Sequence, residues 1–177
     1  MKKNILIPFV VFLFSLSIVT GQEWKVYESE HGKFSVMTPG LMDQKRATIS
    51  TEIAALDVHT HFLNTKDTVG NFLYVINYYD LPEEMFPEDS TDFVMEFLLN
   101  TMDQSVSDIK GDLQYSNPIS IGKHKGLMWR SKSKENVVKS RAYIIRNRFY
   151  MLQVFSLPNK SLNEDVDRFL DSFTLKT

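Results

Sequence analysis

The run Arg148-Phe149-Tyr150-Met151-Leu152-Gln153-Val154-Phe155-Ser156-Leu157 decides the fold. Successive side chains of a strand point to opposite faces. One face of this run therefore presents Tyr150, Leu152 and Val154, and the other Phe149, Met151 and Phe155. Asn71 to Tyr79 repeats the pattern, with Phe72, Tyr74, Ile76 and Tyr78 opposed to Leu73, Val75 and Tyr79. A strand with one wet face alternates apolar with polar residues, so apolar side chains on both faces predict a sheet covered on both sides.

Two stretches of helical period offer that cover. Between Thr91 and Ile109, the residues Met95, Leu98, Leu99, Met102, Val106 and Ile109 recur at three- and four-residue steps, widened by Phe93 and Phe97. Leu162, Val166, Phe169, Leu170 and Phe173 form a second stripe, and Ser161 with Glu164 three residues later reads as its capping box. Further strands are expected at Trp24–Tyr27, Lys33–Met37, Arg46–Thr51, Ala54–Leu63, Asp112–Ile121, Gly126–Ser133 and Asn136–Arg146. His31-Gly32 and Asp67–Gly70 read as turns, and Asn147, which tolerates positive φ, as the tip of a tight hairpin. Such short connections make a sheet mainly antiparallel. The expected architecture is α+β: a three-layer α/β/α sandwich with one helix on each face of a mainly antiparallel sheet.

The chain has 177 residues, 43% of them hydrophobic, which is enough for one domain with its own core, and no repeat or linker divides it. Residues 1–21 have the parts of an export signal: Lys2 and Lys3, an apolar run from Ile5 to Val19, then small residues up to Gly21. That run is shorter than the roughly 20 residues of a bilayer span. Cleavage between Gly21 and Gln22 is expected, leaving one domain over residues 22–177, secreted or periplasmic, with no stable membrane span. The sequence has no cysteine, which excludes a disulfide scaffold, a thiolate zinc site, an iron–sulfur cluster and a cysteine nucleophile. A net charge of −2 gives no support to nucleic-acid binding, which relies on a positive excess.

The order of parts then resembles a known family. Trp24-Lys25-Val26-Tyr27, the stretch Gly32-Lys33-Phe34-Ser35-Val36-Met37-Thr38-Pro39-Gly40, a central helix, Gly122 to Gly126 before a strand, Tyr150-Met151-Leu152-Gln153-Val154 and Phe169-Leu170-Asp171-Ser172-Phe173 together resemble the exported PsbP-like, or Mog-like, bacterial proteins. The resemblance spans nearly the whole of residues 22–177. It implies the PsbP-type sandwich and a non-catalytic accessory or binding role, because the family is similar in fold, diverse in role and not known for a shared active site. Its motifs are structural punctuation, so it assigns no functional residue here.

Two constellations could carry chemistry. In Asp57-Val58-His59-Thr60-His61, the side chains of Asp57, His59 and His61 share one strand face, with Leu56, Val58, Thr60 and Phe62 on the other. Imidazoles two residues apart lie about 7 Å apart along a strand and can converge on zinc or copper, with Asp57, His31 or His124 as the third ligand. This motif supports an alternative reading as a metal-binding protein or hydrolase. The second constellation is segregated charge. Asp80 to Asp112 holds ten acids and one base, a net of −9, while Gly122 to Arg148 holds nine bases and one acid, a net of +8. A basic surface around Lys132, Lys134, Lys139 and Arg141 would suit an envelope protein or an anionic ligand, and opposite patches could also pair copies of the chain. The catalytic templates Gly-x-Ser-x-Gly, the Gly-rich phosphate loop and His-Glu-x-x-His are absent. An exported binding module is therefore expected in preference to an enzyme.

Overall fold

The computed structural model describes residues 23–51, 55–65, 70–85 and 91–176. The expected export signal and most of the expected Asp67–Gly70 turn lie outside them. Among the described residues, ten strands and two α-helices follow in the order β1 (Lys25–Ser29), β2 (Phe34–Thr38), β3 (Asp43–Ser50), β4 (Ala55–Asn64), β5 (Asn71–Asp80), α1 (Thr91–Asp108), β6 (Asp112–Ile121), β7 (His124–Lys132), β8 (Val137–Ile145), β9 (Arg148–Ser156), α2 (Glu164–Asp171) and β10 (Thr174–Leu175).

Seven strands form one sheet in the order β3-β4-β5-β9-β8-β7-β6, and β1-β2-β10 form a small second sheet. Every pairing is antiparallel. The two runs that predict a doubly covered sheet are β5 and β9, which lie side by side near its centre with Tyr78 opposite Tyr150 and Ile76 opposite Leu152.

The expectation of a three-layer α/β/α sandwich does not hold, because the fold is β-rich and strands do part of the covering assigned to helices. Helix α2 has only eight residues and cannot span a seven-stranded face. The small sheet completes the cover beside it: Phe34 and Val36 of β2 are buried with Tyr74, Ile76, Tyr78, Tyr150, Leu152 and Val154 of the large sheet and with Val166, Phe169 and Leu170 of α2. On the other face, α1 lies mainly over β7, with Leu98 and Met102 buried against Leu127, Trp129, Ala142, Ile144 and Phe149. Phe93 and Leu99 of the anticipated α1 stripe stay exposed. Beneath α1 the sheet also buries polar side chains, and Gln153 donates to Ser105 of the helix and to Ser140.

Local chemistry corrects two further expectations. The cap of α2 is Asn163, whose side chain accepts from the Val166 amide, while Ser161 accepts from Arg130 and leaves Leu162 outside the helix in solvent. In the β8–β9 hairpin the positive φ, 58°, falls on Arg146. Asn147 instead ties the hairpin to the end of β5, its amide donating to the Leu81 carbonyl while its own carbonyl accepts from the Leu81 amide. Among the described residues, no helix is long and apolar enough to cross a membrane.

Candidate functional site

The register of the large sheet assembles a polar cleft. Arg46 of β3 stands opposite His59 of β4, His59 opposite Tyr78 of β5, and Tyr78 opposite Tyr150 of β9. One step along, Thr48 is opposite Asp57 and Asp80 is opposite Arg148. Of these rows, Arg46, Asp57, His59, Tyr78, Asp80 and Arg148 line a cleft of about 310 Å³, together with His31 from the β1–β2 turn.

The charges in the cleft are paired. Arg148 holds Asp80 through two hydrogen bonds, Nε to Oδ1 at 2.5 Å and Nη2 to Oδ2 at 2.7 Å, and its Nη1 donates to the His31 carbonyl at 2.9 Å. This bidentate geometry suits a guanidinium and orients it over the Tyr78 ring, 5.3 Å from the centroid. Asp57 accepts from the Thr48 hydroxyl at 2.7 Å and from Arg46. Both carboxyls are held below the ordinary aspartate range, Asp57 by the Thr48 and then the Arg46 hydrogen bond, and Asp80 by the Arg148 hydrogen bond.

The histidines are divided by this architecture. His59 packs against two rings, parallel to Tyr78 at 4.7 Å between centroids and inclined by 25° to His31 at 5.7 Å. Desolvation lowers its pKa, helped by Arg46 and His31. His61 shares its strand face but lies under the small sheet, 3% exposed, with Nδ1 2.7 Å from the Tyr27 hydroxyl and its ring against Phe34. Burial pushes the pKa of His61 down to about 4. His31, a possible third ligand in the sequence, does meet His59, whereas His124 lies at the β6–β7 hairpin. Among the described residues, no three His, Asp or Glu side chains are grouped to hold a metal.

The basic constellation is split as well. Lys139 pairs with Asp167, and Arg141 pairs with Asp171 and donates to the Leu170 carbonyl, so both serve to dock α2 on β8. Lys132 and Lys134 are exposed at the β7–β8 connection. No motif in the sequence singles out Arg46, Tyr78, Asp80 and Arg148. Their meeting depends on strand register and on a β5–β9 pairing across 68 positions of chain, and no local motif encodes either.

No protein-family profile and no curated protein matches this chain. Among solved structures it is similar to the solution structure of cyanobacterial PsbP (CyanoP) from Synechocystis sp. PCC 6803. The match has 11% sequence identity and a TM-score of 0.56, and covers 92% of this chain and 98% of that one. Identity this low speaks to fold alone. The chain has a PsbP-like fold.

Proposed function

We propose that the chain is an exported, non-catalytic accessory module of the bacterial envelope that recognises a partner through the cleft beside the β1–β2 turn. The observation that carries this reading is the internal pairing of the cleft. Arg46 is matched by Asp57, Arg148 by Asp80, and His59 is packed against the Tyr78 and His31 rings, so the side chains present a fixed array of donors and aromatic faces. A general base needs its nitrogen aimed at a reacting proton and a pKa near the working pH. His59 is packed against the Tyr78 and His31 rings and its pKa is lowered by desolvation. The PsbP-like fold supports the same reading, since the family resemblance implies accessory roles. The export signal at residues 1–21 supports the address.

Site-directed photo-crosslinking in cells tests the cleft. A benzophenone side chain at Ala55, exposed on the cleft wall, is expected to capture a partner, and the same group at Lys123, exposed in the β6–β7 turn, is not. Equal capture at both positions, or capture at Lys123 alone, would overturn the assignment. Intact mass of protein from the envelope fraction tests export, with an N-terminus at Gln22 expected.

A further inference from the structure

We propose that the cavity between β7 and the start of α2 is a binding site for a small, singly charged carboxylate, received by Arg130. The inference is independent of the cleft beside the β1–β2 turn.

Among the described residues, five lysine and arginine side chains are half-buried: Arg130, Lys139, Arg141, Arg148 and Lys176. Four of them have carboxylate partners, Lys139 in Asp167, Arg141 in Asp171, Arg148 in Asp80, and Lys176 in Glu28 and Glu30. Arg130 differs. Its bond within the described residues goes to a neutral group, Nη2 donating to Ser161 Oγ at 2.8 Å. A guanidinium taken partly out of water loses hydration that one hydroxyl does not replace. The strand register sharpens the imbalance, since Arg130 of β7 stands directly opposite Lys139 of β8. Like charges opposed across two strands destabilise the pairing. Asp167 neutralises Lys139 and leaves Arg130 uncompensated.

Arg130 lines a cavity of about 280 Å³ together with Lys139, Ser161, Leu162, Glu164 and Asp167. Its guanidinium is held in place there. Ser161, 9% exposed, accepts from Arg130 and donates to the Pro158 carbonyl at 3.2 Å, which fixes the acceptor and through it the fork. Nη1 and Nε have no partner among the described residues and retain the planar donor geometry that matches a carboxylate. Leu162, 86% exposed at the margin of the cavity, offers apolar surface to an aliphatic tail. Glu164 and Asp167 line the same cavity and repel a doubly or triply charged anion. One negative charge on a short aliphatic group is the chemistry that these side chains match, whether it comes as a free acid or as the carboxyl end of a chain.

Titration of the whole mature chain with isovalerate, followed by proton–nitrogen NMR, tests the site. Saturable shifts are expected at the Arg130 Nε–H and at the Ser161 and Leu162 amides, with a Kd on the order of 1 mM for so small a ligand, and none at the His59 amide. Isovaleramide has the same shape without the charge and should shift none of them. Inorganic phosphate should bind more weakly than isovalerate. Arg130→Gln can still donate to Ser161 and should weaken isovalerate by about tenfold or more. A parallel titration with N-acetyl-dialanyl-leucine separates the two sources: tighter binding of isovalerate marks a free acid, and tighter binding of the peptide marks a chain terminus. Four results would overturn the proposal: no saturable shift up to about 20 mM isovalerate, an equal response to isovaleramide, phosphate binding as tightly as isovalerate, or unchanged affinity in Arg130→Gln. The first three are read on the wild type, so the test survives if the variant fails to fold.

Discussion

His61 makes the chain sensitive to acid in a calculable way. It is 3% exposed, its Nδ1 is bonded to Tyr27, and burial pushes its pKa down to about 4, against 6.5 for a free histidine. A histidine whose folded pKa is depressed contributes stability that is complete above the unfolded value and is lost as pH falls from there toward the folded one. Between pH 6.5 and about 4 the unfolded chain takes up a proton that the native chain refuses. At 1.36 kcal/mol per pH unit, the native state loses about 3 kcal/mol on this account by about pH 4, a large share of a typical domain stability of about 5–15 kcal/mol. Other groups titrate in the same window, so the assay is a difference. Urea unfolding of wild type and His61→Gln, followed by far-ultraviolet circular dichroism, is compared at about pH 7 and about pH 4. The glutamine carbonyl can still accept from Tyr27, and the variant is expected to lose about 3 kcal/mol less than wild type on acidification, even though it starts less stable. Equal losses in the two proteins would refute the reasoning, because they would mean that His61 is protonated in the native state or is not buried there.

Further expectations follow from packing and chemistry. Phe34→Ala removes the fully buried side chain that joins β2 to Tyr27, Tyr78, Tyr150 and Phe173, and should cost about 3–5 kcal/mol in urea unfolding. Gly126→Ala would place its Cβ 2.5 Å from the Tyr143 ring and 2.7 Å from the Ala142 carbonyl, so a loss of about 1–3 kcal/mol is expected, and an unchanged midpoint would count against the β7–β8 contact. Arg148→Lys keeps the charge but loses the fork that grips Asp80 while reaching the His31 carbonyl, and should lower stability by about 1–2 kcal/mol. Calorimetric titration with zinc should give no stoichiometric heat at micromolar metal, because His59 is stacked and His61 is bonded to Tyr27. Tight binding that disappears in His59→Ala would establish the metal reading instead.

The cleft also explains why β3 retains an exposed edge. All eight of its residues are exposed, and Lys45 and Arg46 place charge on a strand that would otherwise be free to pair with another chain. Arg46 serves twice, as an edge charge and as the partner of Asp57. At the opposite edge, β6 carries Pro118 and a register shift between Leu113 and Tyr115, two other devices that interrupt pairing.

The sequence by itself determined nearly every element and the two-sided burial of the main sheet. Period-2 apolar runs and 3.6-residue stripes are local signals, and β5, β9 and α1 follow them closely. The shared strand face of Asp57, His59 and His61 was equally local and is present. What covers each face was not local. A two-sided strand records that something apolar lies above it, not whether that is a helix or a hairpin, and here Phe34 and Val36 of the small sheet share the place assigned to α2. The fates of His59 and His61 were decided in the same way, because only the docking of β1 and β2 puts Tyr27 on one imidazole and His31 on the other. Lys139 and Arg141 read as a free basic surface until α2 brings Asp167 and Asp171 onto them. Periodicity is fixed within a few residues of chain, whereas register, cover and charge pairing are fixed between elements distant in sequence, and the cleft is made of the latter.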